Sequence, residues 1–554
     1  VKQIMQPRPN LFGQRTLLGF MPDWNPAEMI GVVPKPLAKS LYRTLITNST
    51  WRLAREQMGY RKMPNVDLMI SLFGRVYIDV RNSINSFLPA GLNPVVSEKL
   101  VNAYVARLDE NPHLHDKIEF DVVHTAYDFD FEDAFESRYP ALLKREEFLE
   151  YRGLLRKVTN EALANNYDSS LNKAFRDIAH LTSLQTNRRE FENDSFSLAD
   201  QIKTLLDECI EFGTIPFSIL ARHGFIAEGI LRSAVNNKAI TAERLVEFKR
   251  SVVTIAGEMS QEFSAVLKGD LAKEVYLEKF GHLRPSSYDI LSPNYSQRED
   301  LFDGEITQES HSIIEFKLTA KEKSNINILL AEHGLTSVNA TGLFQYAEKA
   351  IRGREYGKFV FTKHLSNILE YAAKWGVTKG FSREQVVMLS IDDIIEILYA
   401  PLRNKVKDYY QEKINKAIRD FDVASSFKLS YLIRTVRDVH IVPVQRSLPN
   451  FIGNGRIEAS IVVLEAHMEA VPDITGKIVC IEGADPGYDW IFTRNIVGLI
   501  TKYGGANSHM AIRSAEYNIP AAIGCGEQPF ERVITAKKCL LDCQGQILEP
   551  INLN

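Results

Sequence analysis

The chain has 554 residues, enough for several domains, and its 45% hydrophobic and 25% charged content is that of an ordinary globular protein. A net charge of −4 argues against nucleic-acid or membrane-surface partners, and no apolar run reaches the roughly 18 residues needed to span a bilayer. Five scattered cysteines suit a reducing cytoplasm better than a disulfide framework, and Cys539 and Cys543 lack the second Cys/His pair of a zinc site.

Residues 11–90 are dense in turn formers and aromatics. Met21-Pro22-Asp23-Trp24-Asn25-Pro26-Ala27-Glu28 reads as a turn followed by a short helix with proline near its start. Leu37, Leu41, Leu45 and Ile46 recur at helical spacing, and residues 75–80 alternate as a strand. Residues 81–89 then form either a polar binding loop or a capped strand-to-helix connection. Residues 95–275 carry apolar side chains at three and four, as in Ile202, Leu205, Leu206 and Ile210, and predict helices. Pro216 and the His223-Gly224 pair are the expected breaks. The acidic, aromatic run from Asp128 to Glu136 offers carboxylates for a metal, but carboxylates flanking a phenylalanine more often form an exposed helix start.

Tyr276-Leu277-Glu278-Lys279-Phe280-Gly281-His282-Leu283-Arg284 offers a histidine and an arginine after a glycine turn, fit either to orient a polar acceptor or to end a helix. Arg352-Gly353-Arg354-Glu355-Tyr356-Gly357-Lys358 and Ser390-Ile391-Asp392-Asp393 are read as structural, through salt bridges and a cap. Helices are expected to about residue 436. Strands follow at 442–444, 459–464, 477–482, 497–501, 521–524 and 538–542, with a glycine-bearing connection at 450–455 as a candidate hinge. The expected fold is multidomain. A large, mostly α-helical acceptor-binding domain (13–436) and a linker (437–455) precede a small α/β domain (456–554).

That last domain holds the most informative stretch: Tyr503-Gly504-Gly505-Ala506-Asn507-Ser508-His509-Met510-Ala511-Ile512. Gly504 and Gly505 permit a tight turn after a strand, and Ser508 can cap the helix that follows. His509 then stands in the first turn, where free amides and the helix dipole favour an anion. Gly504, Gly505, Asn507 and Ser508 are the expected phosphate-binding residues. A neutral, exposed imidazole there would be a competent nucleophile for phosphorus.

With its flanks, Gly483-Ala484-Asp485-Pro486-Gly487-Tyr488-Asp489-Trp490 and Ile519-Pro520-Ala521-Ala522-Ile523-Gly524, this run resembles the swivelling phosphohistidine domain of the dikinase family. That family includes phosphoenolpyruvate synthase, pyruvate phosphate dikinase and rifampicin phosphotransferase. The chain departs from its pattern at Asn507, Met510 and Ala515, where threonine, a small residue and arginine are usual.

The resemblance implies a transferase in which ATP loads His509, AMP and phosphate are products, and the domain swings to a small-molecule acceptor. Magnesium and ATP are expected at an ATP-grasp domain supplied in cis or by a partner chain. Residues 1–12 resemble the end of such a domain, its last strand. Asp23-Trp24-Asn25-Pro26-Ala27-Glu28 and the segment from Tyr77 to Phe87 resemble a branch associated with surface-polysaccharide (capsule) genes that includes L-glutamine kinase. For such an acceptor the candidate residues are Asp79, Arg81, His223, His282, Arg284 and Asp289. The alternatives are an antibiotic or pyruvate phosphotransferase, and a non-catalytic phosphocarrier.

Overall fold

The computed structural model describes residues 1–188, 194–303, 315–399, 405–440, 448–468, 471–506 and 508–551. The expected strand at 442–444, Asn507 and part of the linker lie outside them. The first residues form a one-turn helix, Lys2–Met5, in place of the expected strand. The chain then builds a small antiparallel sheet from β1 (Leu18–Gly19), β2 (Met69–Leu72) and β3 (Arg75–Asp79). A late strand, β4 (Leu432–Ile433), returns to pair with β1, giving the order β2-β3-β1-β4. Helices therefore do not run unbroken to residue 436. Two residues of strand are too short for periodicity to reveal.

Within this frame the short Pro26–Ile30 helix starts on proline, whose fixed φ suits the first helical turn. Residues 80–85 are helical, capped by Asp79, so the bland reading of 81–89 is the right one. The Ile215–Asn236 helix passes through His223 and Gly224 without a break. Both are buried in the packing against the 40-residue Ala340–Lys379 helix, and a Cβ on Gly224 would still meet Arg354 at an ordinary contact distance of 3.5 Å. The long helix is capped by Asn339 at one end and by Gly380 in the left-handed conformation at the other.

The C-terminal sheet has seven strands in the order β11-β10-β6-β7-β8-β9-β5. They are β5 (Asn450–Ile452), β6 (Arg456–Leu464), β7 (Ile478–Gly483), β8 (Gly498–Tyr503), β9 (Ala521–Ile523), β10 (Lys538–Asp542) and β11 (Ile547–Ile551). The central four, β6 to β9, are parallel, while β10, β11 and β5 add antiparallel edges. Buried parallel strands carry apolar residues on both faces, as Ile478-Val479-Cys480-Ile481 does. The expected hinge at 450–455 is in part strand β5. All five cysteines are buried and free. No helix of the described residues is long and apolar enough to cross a membrane.

Alternation along β7, β8 and β9 divides the core in two. Ile478, Cys480, Ile500 and Ala522 face the domain's own Glu527–Ile534 helix through Phe530 and Val533. Val479, Ile481, Leu499, Ala521 and Ile523 face the other way. Their partners include Met259, Phe263 and Val266 of the Ile255–Lys268 helix and Tyr276 and Phe280 of the Lys273–Phe280 helix. One face of the C-terminal sheet thus shares its core with helices belonging to the preceding domain.

Candidate active site

The turn after β8 has the expected form. Gly504 sits at φ 148°, and a Cβ there would lie 2.9 Å from Ala484 Cβ and 3.0 Å from Ile523 Cγ2. Ser508 accepts from the Ala511 amide and caps the His509–Glu516 helix. His509 therefore opens the helix, as the motif predicts, but it does not face solvent. Its side chain is 10% exposed, lodged between the C-terminal domain and the helical body. Nδ1 lies 3.0 Å from Glu355 Oε2 of the long helix, and Nε2 lies 2.7 Å from Asp489 Oδ1 of its own domain. Burial opposes charge on the imidazole, but Asp489 and Glu355 outweigh it and push the pKa up to about 9. The expected neutral nucleophile is thus an imidazolium in this docked arrangement. Glu355 responds in kind: burial would raise it, but Arg354 and His509 hold its carboxyl well below the usual range.

The docking is close and polar. Arg513, 4% exposed at its side chain, donates to Ser260 Oγ at 2.7 Å and to Glu516 at 2.6 Å, with Nε 3.5 Å from Asp489 Oδ1. Ser287 Oγ donates to Asp485 at 3.1 Å, and Tyr295 donates to the Gly487 carbonyl at 2.9 Å. A Cβ on Gly487 would stand 2.0 Å from the Arg284 carbonyl oxygen, so only glycine lets the two backbones meet.

Beside His509 opens a cavity of about 230 Å3. The C-terminal domain contributes Gly505, Ser508 and His509; the helical body contributes the rest. Arg354, Glu355 and Lys358 come from the long helix and Glu28 from the Pro26–Ile30 helix. A second charged group lines the same space. Arg55 grips Asp23 with two hydrogen bonds, at 2.9 and 2.7 Å, and Arg222 pairs with Glu119 at 2.6 Å. Phe87 lies between them, its ring 3.8 Å from the Arg55 guanidinium carbon and 5.3 Å from that of Arg222. Trp24, Trp51, Phe217 and Phe225 supply aromatic wall. Trp24 Nε1, Trp51 Nε1 and Arg222 Nε are buried donors without a hydrogen-bond acceptor among the described residues. A smaller, mainly apolar space of about 40 Å3 adjoins His509, Glu355 and Asp489, lined by Met259, Phe280 and Phe359. Such surroundings keep water from the imidazole.

None of the six residues expected at the acceptor lines that cavity among the described residues. Asp79 is fully buried; it caps the Val80–Asn85 helix and accepts from Thr16 Oγ1 at 2.5 Å. Arg81 is spent on the backbone carbonyls of Ile4, Gln6 and Gly13. His223 bonds Ser170 and Tyr346, each at 2.9 Å, and burial pushes it down to about 3. His282 meets the Phe359 carbonyl at 3.2 Å and is held at about 3 by the same cause. Arg284 pairs with Glu370 at 3.0 Å and Ser366 at 2.8 Å, and Asp289 meets His467 at 2.7 Å. These last two tie the segment after the Lys273–Phe280 helix to its neighbours. Of the residues that do meet His509, Glu355 lies in the segment read from sequence as structural, and Asp489 lies in the flank that carries the family resemblance, with no role of its own assigned there. Among the described residues no three His, Cys, Asp or Glu side chains are placed to hold a metal ion.

Residues 474–545 match the PEP-utilising enzyme mobile domain. The match spans β7 to β10 and places His509 on a phosphohistidine-carrying phosphotransfer module. It stops short of the helical body, and no curated protein matches the chain.

Proposed function

We propose that this chain is a phosphotransferase in which His509 carries a phosphoryl group and passes it to a small polar molecule held in the cavity beside it. The observation that carries the reading is the docking itself. The imidazole of a mobile module is seated against a cavity whose other walls belong to a separate helical body. A covalent carrier lets the loading site and the accepting site each exclude water.

Each part has a role. Arg354 and Lys358 neutralise the phosphoryl oxygens. Asp489 travels with His509 and orients the ring; Glu355 belongs to the accepting side and takes over the other nitrogen once the phosphoryl group has left. The imidazolium found here is the unloaded, docked state, reached once the ring that leaves on transfer has taken up a further proton. A proton must leave before either nitrogen can accept phosphorus again, and undocking from Glu355 removes one of the two carboxylates that hold it.

The amide nitrogen of L-glutamine is the acceptor we favour. An α-carboxylate needs donors, and Arg222 with the two indole N–H groups supplies them; an ammonium needs a carboxylate, and Asp23 and Glu119 stand in the same group. A cavity of about 230 Å3 is below the usual range for drug-sized ligands, which favours an amino acid over an antibiotic. ATP as the source, with magnesium, belongs to a nucleotide-binding domain in cis or on a partner chain. The test is to load His509 with potassium phosphoramidate and chase with single metabolites, following phosphorus by 31P NMR. Transfer to L-glutamine is expected. Phosphohistidine that survives every small acceptor would overturn the reading in favour of a carrier that hands its group to another protein.

A further inference from the structure

The cavity contains five carboxylates, and four of them are committed. Asp23 is gripped by Arg55 and Ser83, Glu119 by Arg222, and Glu355 by Arg354 and His509. Asp116 is bonded to Asn450 of β5 at 3.2 Å and also borders a separate cavity under Gly504. Glu28 differs. Its carboxylate takes a hydrogen bond from the Gly505 amide, in the loop that carries His509, and a long one of 3.3 Å from Asn25. It has no ion pair among the described residues. The docked domain closes over it: a Cβ on Gly483 would lie 2.8 Å from the Glu28 carbonyl oxygen.

Resting on the phosphotransferase reading above, we propose that Glu28 is the general base that takes the proton from the acceptor as the phosphoryl group leaves His509. The bond between phosphorus and the imidazole nitrogen breaks, and its electron pair stays on the ring. The ring leaves as neutral imidazole, keeping the proton on its other nitrogen. The acceptor's N–H or O–H lone pair forms the new bond to phosphorus, and the acceptor proton passes to a Glu28 oxygen. Charge is conserved, and no further reactant is needed.

The surroundings suit the task. Burial pushes Glu28 up to about 7, against the opposing pull of Lys358 on the long helix and of Asn25. Asp485, in the loop after β7, adds a like charge, the Gly505 amide pulls the other way, and Tyr42 of the Pro36–Tyr42 helix lies within electrostatic reach. A base poised near neutrality is half free at working pH and strong enough to accept a proton. A base in this position also works only when the mobile domain is docked, because Gly505 then brings the phosphoryl group to it.

The test compares wild-type protein with Glu28→Gln, both loaded by phosphoramidate, with the initial phosphohistidine load measured in each. Glutamine keeps an oxygen for the Gly505 amide, so docking is retained and only the proton acceptor is lost. Loss of phosphohistidine is followed against pH, with L-glutamine and with water as the sole acceptor. The expected result is a rate at least about a hundredfold lower in Glu28→Gln, together with loss of the limb in which the wild-type rate rises through about pH 7. Equal rates with an unchanged pH profile would overturn the proposal. If L-glutamine does nothing but loss to water still depends on Glu28, the base stands and the L-glutamine reading falls. A Glu28→Ala variant that undocks, judged by hydrogen exchange at 255–280, while Glu28→Gln keeps both docking and the wild-type pH profile would assign Glu28 to docking alone.

Discussion

The two faces of the C-terminal sheet solve the same burial problem differently. Behind one face lie Ile478, Cys480, Ile500 and Ala522, covered by Phe530 and Val533 from the domain's own helix. Behind the other lie Val479, Ile481, Leu499 and Ile523, covered in large part by Met259, Phe263, Tyr276 and Phe280 from helices some two hundred residues earlier. The first face makes the module a folding unit. The second, which also packs Met510 and Ala511 of the His509–Glu516 helix, makes it a docking unit. The His509–Glu516 helix is thus built on the face that the helical body must complete.

The largest effect is expected at the residue the shared face presents. His509→Gln should abolish phosphoramidate labelling and turnover, checked by 31P NMR; a labelled, active variant would move the carrier role elsewhere. Next comes the backbone contact that lets the faces meet. Gly487→Val pushes a side chain into the Arg284 carbonyl, so transfer from loaded His509 should fall at least tenfold, and small-angle scattering should report a more open particle.

Truncations then separate the faces. Phe530→Ala and Phe263→Ala should each cost about 3–5 kcal/mol. The first should lower hydrogen-exchange protection in β7 to β10 alone. The second should lower it in those strands and in the Ile255–Lys268 helix together. A Phe263→Ala effect confined to the helices would break the idea of a shared core.

The smallest effect is that of pH. The His509 pKa is raised, so its ion pairs with Glu355 and Asp489 are fully present below the ordinary value of 6.5 and are lost as pH rises through about 9. Docking should weaken in that window, and Glu355→Gln should flatten the dependence.

The turn that presents His509 was legible because it is local. Gly504, Ser508 and His509 lie within six residues, and the chemistry of a glycine turn and a capped helix start needs no distant partner. The strands β6 to β10 were legible for the same reason, through apolar runs and period. The residues that line the cavity were not. The side chains expected at the acceptor are consumed inside the structure: Arg81 by three carbonyls, Arg284 by Glu370 and Ser366. His223 does not line the cavity, although the residue beside it does. A helix turns about 100° per residue, so its neighbour Arg222 lines the cavity while His223 points to Ser170 and Tyr346.

By itself the sequence determined that a strand, a glycine turn and a capped helix would hold a histidine where an anion is welcome, because those preferences act within a few residues. Only the tertiary structure decided that this imidazole is buried and protonated between Glu355 and Asp489, and that Glu28, Asp23, Arg55, Glu119 and Arg222 share its cavity. Charge, burial and pKa depend on which side chains meet through space, and the residues that meet here are drawn from positions 23 to 509 of one chain.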